Sequence, residues 1–171
     1  MNKKMLPSII GKNNEFMFDN PILGEGGFSN VYDLVQHKGL VLKHSYYPHD
    51  GFRYLASLSA SKRRKIGLRP IQEVKRYGDD AFYLMKKLYP IPFTEDESKY
   101  LDELSLITEV ENIFYPESFI SARIDFVVQK IKALIFILKD EKIMLDITKK
   151  NIMMDENEEL YLTDPVSEII D

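Results

Sequence analysis

The sequence contains no cysteine, which excludes disulfides, thiolate zinc sites and a cysteine nucleophile. A reducing cytosol is compatible with that absence without being required by it. Long apolar runs are missing too. The most apolar stretch, Ile124 to Leu138, is broken by Gln129, Lys130 and Lys132 and does not read as a membrane span. The N-terminal residues MNKKMLPSII carry basic side chains but no apolar run of signal-peptide length. Excess positive charge is also lacking. A net charge of −4 argues against nucleic acid as the main partner, because phosphate backbones favour basic surfaces. No internal repeat or low-complexity segment is present. The expectation is a soluble, cytoplasmic protein with no membrane partner.

What is present suits a folded chain. Its 171 residues fit one domain, or one compact unit with two small lobes, and 44% apolar content is enough for a real core. Residues 1–15 are polar and read as a loose arm. Three strand-like runs follow, at Ile22-Leu23, Val31–Val35 and Leu40–Lys43, separated by turns at Gly24–Gly27 and His37–Gly39. A helix is expected over 48–66, closing on Lys62-Arg63-Arg64-Lys65; that basic run is an ordinary solvated helix end or a patch for an acidic partner. Pro70–Tyr77 and Ala81–Met85 read as a second hairpin turning at Gly78-Asp79-Asp80, completing about five strands. Tyr89-Pro90-Ile91-Pro92 is a candidate lobe boundary. Thr94 and Glu97 form a capping-box signature opening a helix that continues through Leu101, Leu104, Ile107 and Val110 to Tyr115-Pro116. A central helix should run from about Ser118 to Lys139.

Two stretches carry chemistry. In the first, Gly24, Gly26 and Gly27 place three glycines within four residues of a strand–turn–strand, which lets backbone N–H groups approach an anion. Both the dinucleotide fingerprint and the Walker loop lead into a helix, so neither fits. Lys43 follows in an apolar strand; on an inner face it needs an anion, on an outer face it is merely solvated. In the second stretch, LDITKKNIMMDENEELYLTDP, a strand ends at Asp146 and a loop runs to Asn151. The hairpin Ile152–Met154/Leu160–Leu162 then leads to Asp164. The hairpin should bring Asn151 beside Asp164, clustering two carboxylates and an amide oxygen in the manner of a Mg²⁺ site, with Lys149 and Lys150 nearby. Turn chemistry alone also collects such residues.

In this order the motifs resemble the protein-kinase fold. LGEGGFSNVY stands as the glycine-rich loop, VLK carries the strand lysine, LDITKKN is the catalytic loop and TDP occupies the place of Asp-Phe-Gly. More narrowly, GEGGFSNVY, NIMMD and TDPVS resemble the small early serine/threonine kinases of T7-like bacteriophages. The resemblance implies an α+β fold, with a five-stranded antiparallel N-lobe over 16–88 and a truncated, mainly helical C-lobe over 89–171. It implies ATP and Mg²⁺ as cofactors. The backbone of Gly24, Gly26, Gly27, Phe28 and Ser29 would cover the phosphates, and Lys43 would contact two of them. Asp146 would act on the substrate hydroxyl, Lys150 would neutralise developing charge, and Asn151 and Asp164 would hold the metal. Leu23, Val31 and Met153 would flank the adenine, with Lys86–Leu88 as hinge. Host bacterial proteins of transcription or translation would be the substrates.

Several departures accompany the resemblance. Kinases pair the strand lysine with a helix glutamate, yet residues 52–66 contain no Asp or Glu; Asp164, Glu73 or phosphates alone are the other candidates for holding Lys43. Ser29 replaces the third glycine, Met144-Leu145 replaces His-Arg and Pro165-Val166 replaces Phe-Gly. The sequence stops seven residues after Asp164. Substrate recognition is therefore expected to use other surfaces, a partner, or a second copy of the chain in a homodimer. The competing reading is a catalytically inactive pseudokinase that binds a host protein; a small-molecule kinase would need helices after the metal aspartate.

Overall fold

The computed structural model describes residues 20–105, 121–139, 141 and 143–169. The arm at 1–15, the reach of the first long helix beyond 105 and positions 118–120 of the second lie outside the described residues. The fold is α+β, and the strands of its three sheets pair antiparallel. Among the described residues no helix is long and apolar enough to cross a membrane. Two compact units divide the chain, one holding described residues 20–48 and 71–87, the other 49–70 and the described residues from 88 onward.

The first unit is a five-stranded sheet. Its strands are β1 (Ile22–Glu25), β2 (Ser29–Asp33), β3 (Leu40–Ser45), β4 (Ile71–Tyr77) and β5 (Asp80–Lys86), in the order β1-β2-β3-β5-β4. Alternation along the strands puts Tyr32, Leu34, Leu42, Phe82 and Leu84 into one buried cluster. Lys43, next to Leu42, projects from the opposite face. The turns between strands use glycine where the backbone turns left-handed, at Gly39 (φ 78°) and Gly78 (φ 56°). β2 stops at Asp33, and Leu34 and Val35 belong to the turn, where Val35 N–H donates to the Asp33 carbonyl at 3.0 Å and His37 N–H to the Leu34 carbonyl at 2.7 Å.

In the second unit, α1 (Gly51–Ser57) and α2 (Ala60–Lys65) replace the single helix expected over 48–66. The break is a matter of serine chemistry. Ser57 Oγ donates back to the Tyr54 carbonyl at 2.7 Å, Leu58 is extended, and Ser59 caps the second helix by accepting from the Lys62 amide. This helical segment also belongs with the C-terminal part of the chain and not with the strands before it, which corrects the expected lobe boundary. Close packing explains why. A Cβ at Gly51 would stand 2.5 Å from both Cγ1 and the carbonyl oxygen of Val166, an approach that only glycine permits. Gly67, left-handed at φ 73°, accepts a hydrogen bond from the Leu162 amide at 2.9 Å, and Leu68 is bridged in parallel to Leu162. Phe52, Leu55, Ile66 and Leu68 are buried.

The remaining helices are α3 (Glu95–Ser105) and α4 (Ala122–Leu138). The capping box forms as its sequence requires: Thr94 N–H donates to Glu97 Oε2 at 2.9 Å and Glu97 N–H to Thr94 Oγ1 at 3.2 Å. The same buried Glu97 accepts from Ser121, the N-cap of α4, at 2.6 Å and pairs with Arg123 at 3.3 Å, so one carboxylate ties two helix starts together. Desolvation works to raise that carboxyl, but these donors outweigh it and hold it below the usual range. α4 buries Ile124, Val127, Val128, Ile131, Leu134 and Leu138, a stripe at helical spacing, while Phe136 stays exposed. Two small sheets complete the unit. β6 (Tyr89–Pro90) lines up with β8 (Ile152–Met154) and β9 (Leu160–Leu162), and β7 (Ile143–Leu145) pairs with β10 (Val166–Ile169). Tyr89-Pro90 is therefore an edge strand, with proline at the edge where a missing N–H costs no ladder bond.

Candidate functional site

In the second unit the hairpin does bring its two ends together. The side-chain nitrogen of Asn151 lies 2.9 Å from Asp146 Oδ2, 2.9 Å from the Asp146 carbonyl and 2.9 Å from the Asp164 carbonyl. All three partners are acceptors, which fixes the amide with its NH₂ toward them and its Oδ1 end turned away from them. Two hydrogens serve three acceptors, so one bond is shared. Backbone bonds lock the surroundings: Asp146 N–H donates to the Pro165 carbonyl, Asn151 N–H to Thr148 and Thr163 N–H to the Asn151 carbonyl, each at 2.9 Å. A 3₁₀ turn over Lys149–Asn151 delivers Asn151 to this position. Asp146, Asn151 and Asp164 are all half-buried, neither solvated tips nor core.

This set matches what Mg²⁺ asks of a protein, one or two carboxylates plus neutral oxygen, with other positions left to water and phosphate. Among the described residues, no group of three or more His, Cys, Asp or Glu side chains is placed to hold a metal ion.

The segment 49–70 grips this hairpin from both sides of Asp164. Leu162, two residues before it, is bound to Gly67 and bridged to Leu68; Val166, two residues after it, lies against Gly51. The two lysines of the loop separate. Lys149 pairs with Asp102 of α3 at 2.9 Å, while Lys150 is exposed. The turn of the hairpin is tied down by a buried ion pair that sequence reasoning missed. Arg69 donates to Asp155 Oδ2 at 2.8 Å and its guanidinium lies 4.4 Å over the Tyr161 ring. Asp155 also accepts from the Asn157 and Glu159 amides, at 2.8 and 3.0 Å. Burial works to raise the Asp155 carboxyl, yet Arg69 and the two amides hold it below its ordinary value. Asp155 reads in sequence as turn chemistry, and nothing local to Arg69 points to it as a partner.

The first unit holds the other candidates. Lys43 is 3% exposed, which removes the reading of a solvated outer-face lysine. Register places Gly24, Val31, Lys43, Tyr83 and Glu73 opposite one another in a single row across the five strands, so they share a face. At the end of that row the Glu73 carboxylate is forked by Arg76, at 2.8 and 3.2 Å, and Glu73 is exposed. The glycine turn closes with Gly26 N–H donating to the Ser29 carbonyl at 2.8 Å. None of Gly24, Gly26 and Gly27 has the left-handed backbone that demands glycine, and a Cβ on Gly24 or Gly27 would meet nothing within 4 Å. Among the described residues, neither strain nor packing accounts for three glycines here. Two tyrosines after β3 brace the turn: Tyr46 OH donates to the Gly26 carbonyl at 2.7 Å, and Tyr47 stacks on Phe28 with centroids 4.6 Å apart. The sequence signal for them was two adjacent aromatics directly after the lysine strand.

No family model matches the chain. No curated protein matches it either.

The other expected residues stand as follows. Leu23 is exposed on β1 and Val31 half-buried on β2. Met153 is half-buried on β8, opposite Pro90 and Tyr161. Of the expected hinge, Lys86 ends β5, Lys87 N–H donates to the Gly39 carbonyl at 2.9 Å, and the chain passes into the second unit at Leu88.

Proposed function

We propose that the protein has a kinase-like fold and is a minimal phage-type serine/threonine protein kinase, transferring the ATP γ-phosphate to hydroxyls of host bacterial proteins, with host transcription or translation as the target. Each unit carries one half of the chemistry that this reaction uses. The observation that carries the reading is the fixed orientation of Asn151. With its NH₂ held by Asp146 and the Asp164 backbone, its oxygen is the end available to a cation. Mg²⁺ bound by Asn151 and Asp164 would neutralise charge on the phosphate oxygens. Asp146, oriented by its bond from Asn151, would accept or direct the proton of the substrate hydroxyl. Lys150, solvated and four residues further on, would offset negative charge developing on the transferred group. In the first unit, Lys43 and the bare backbone of the glycine turn are suited to the triphosphate, and Leu23 and Val31 to the adenine.

Incubation with labelled ATP, Mg²⁺ and a bacterial lysate tests this. Label should pass to lysate proteins with the wild-type chain and vanish with Asp146→Asn, whose side chain keeps an oxygen acceptor for Asn151. Equal labelling by the variant refutes the proposal.

A pseudokinase that binds a host protein is the second reading. It is favoured by the sequence of residues 52–66, which holds no Asp or Glu where kinases carry a helix glutamate. Folded protein that transfers no label yet retains a lysate protein would decide for it.

A further inference from the structure

The segment 51–70 carries six of the chain's 23 basic residues and none of its 27 acidic ones. Three of the six are used internally. Arg53 is buried, Arg63 donates to the Ala56 carbonyl, and Arg69 is paired with Asp155. Lys62, Arg64 and Lys65, on the last turn of α2, are exposed and make no ion pair with a described residue. Elsewhere several exposed or half-exposed cations pair with carboxylates, Arg76 with Glu73, Lys149 with Asp102 and Lys87 with Asp33, while the exposed Lys38, Lys99 and Lys150 stand singly and not in a run. The helix dipole favours a cation at a C-terminus, but a six-residue helix has a weak dipole, and it does not call for three.

Place gives this cluster a use. Lys65 precedes Leu68 by three residues, Leu68 is bridged to Leu162, and Leu162 precedes Asp164 by two. Extended chain covers at most about 3.6 Å per residue and bridged chains lie about 5 Å apart, so the Lys65 and Asp164 backbones are within about 23 Å. About seven residues of extended peptide span that distance. We infer that Lys62, Arg64 and Lys65 form a docking surface for an acidic segment of the protein substrate, so that the preferred hydroxyl has Asp or Glu within about seven residues. The occupant's identity as a substrate rests on the phosphotransfer reading; its acidity rests on the charge of the surface alone. Nucleic acid is the poorer fit, since three exposed cations on a chain of net charge −4 make a short footprint for a phosphate backbone.

The test uses the full chain and its K62Q/R64Q/K65Q variant, which leaves Ser59, Ile66 and Leu68 untouched and should melt as the wild type does. Fluorescence anisotropy at low salt would compare three labelled probes: a serine peptide with a Glu/Asp run within seven positions of the serine, its Gln/Asn counterpart, and a single-stranded oligonucleotide of equal charge. The acidic peptide should bind best, about tenfold more weakly to the variant, and more weakly as salt rises. Label transfer from ATP to the same peptides is measured in parallel. Binding of the acidic peptide that depends on the three cations but comes without transfer supports the docking surface and sets aside the kinase reading. Equal binding by variant and wild type, by acidic and neutral peptides, or a tighter oligonucleotide, overturns the inference.

Discussion

The two groups of candidate residues are held in opposite ways. Around Asn151 the backbone is tied down: one side-chain nitrogen serves three acceptors, and three further backbone bonds fix the loop and the hairpin ends. The glycine turn of the first unit is bare. Among the described residues, a Cβ on two of its glycines would meet nothing, and the tyrosine braces reach Gly26 and Phe28. The contrast teaches where each group's function would reside. A cluster that must hold oxygen ligands at fixed separations has to be built before the ligand arrives, and its cost is met by hydrogen bonds. A turn that offers backbone N–H groups gains from having nothing in the way.

Substitutions can break that contrast, and the largest effect is expected on activity. Asp146→Asn should lower label transfer by about 10²–10⁴-fold, the usual contribution of a positioned acid–base group, with little change in melting temperature. Next, Asn151→Ala should destabilise the fold by about 2–4 kcal/mol in urea unfolding, since it strips a partner from three acceptors, two of them backbone carbonyls. Gly51→Ala is expected to cost about 1–3 kcal/mol, because its Cβ would collide with the backbone of Val166, two residues after Asp164. The turn should answer differently. Gly27→Ala should change stability by less than about 1 kcal/mol, in either direction, because it meets no atom and needs no left-handed backbone. Its KM for ATP should nevertheless rise if the bare backbone approaches phosphate. A turn substitution that unfolds the protein, or an Asn151→Ala variant as stable as wild type, would erase the distinction.

Acid should act on the committed groups as well. Glu97 and Asp155 titrate in the folded chain below their ordinary values of 4.5 and 3.8, because Ser121 and Thr94 in one case and Arg69 in the other hold the charged form. A depressed carboxylate contributes stability that is present above its unfolded value and lost as pH falls through the folded one. Melting temperature should therefore be level near neutrality and decline below about pH 4.5. Glu97→Gln should flatten the upper part of that decline.

Much of this was legible in the residues. The strand–turn–strand–turn–strand opening, the second hairpin, the capping box and the meeting of Asn151 with Asp164 all follow from local rules that act within a few residues. Most of what escaped depends on distant partners. The pairing of β7 with β10 joins residues some twenty apart, and no pattern in Val166–Ile169 announced it. Helix 48–66 divided because Ser57 and Ser59 compete for backbone groups that its partial apolar stripe gave no reason to suspect. Its placement beside Val166 turned on Gly51, a residue that reads in sequence as an unremarkable helix start. Arg69 with Asp155, across 86 positions, is invisible to any window.

Calorimetric titration of ATP with and without Mg²⁺, on the wild-type chain and on Asp164→Asn, tests most directly whether this hairpin is a metal–phosphate site. Binding that requires Mg²⁺ and weakens about tenfold or more in the variant is the outcome expected of a carboxylate that ligates the ion. ATP binding that is indifferent both to Mg²⁺ and to the loss of the Asp164 charge, or absent altogether from the folded wild-type chain, would contradict it.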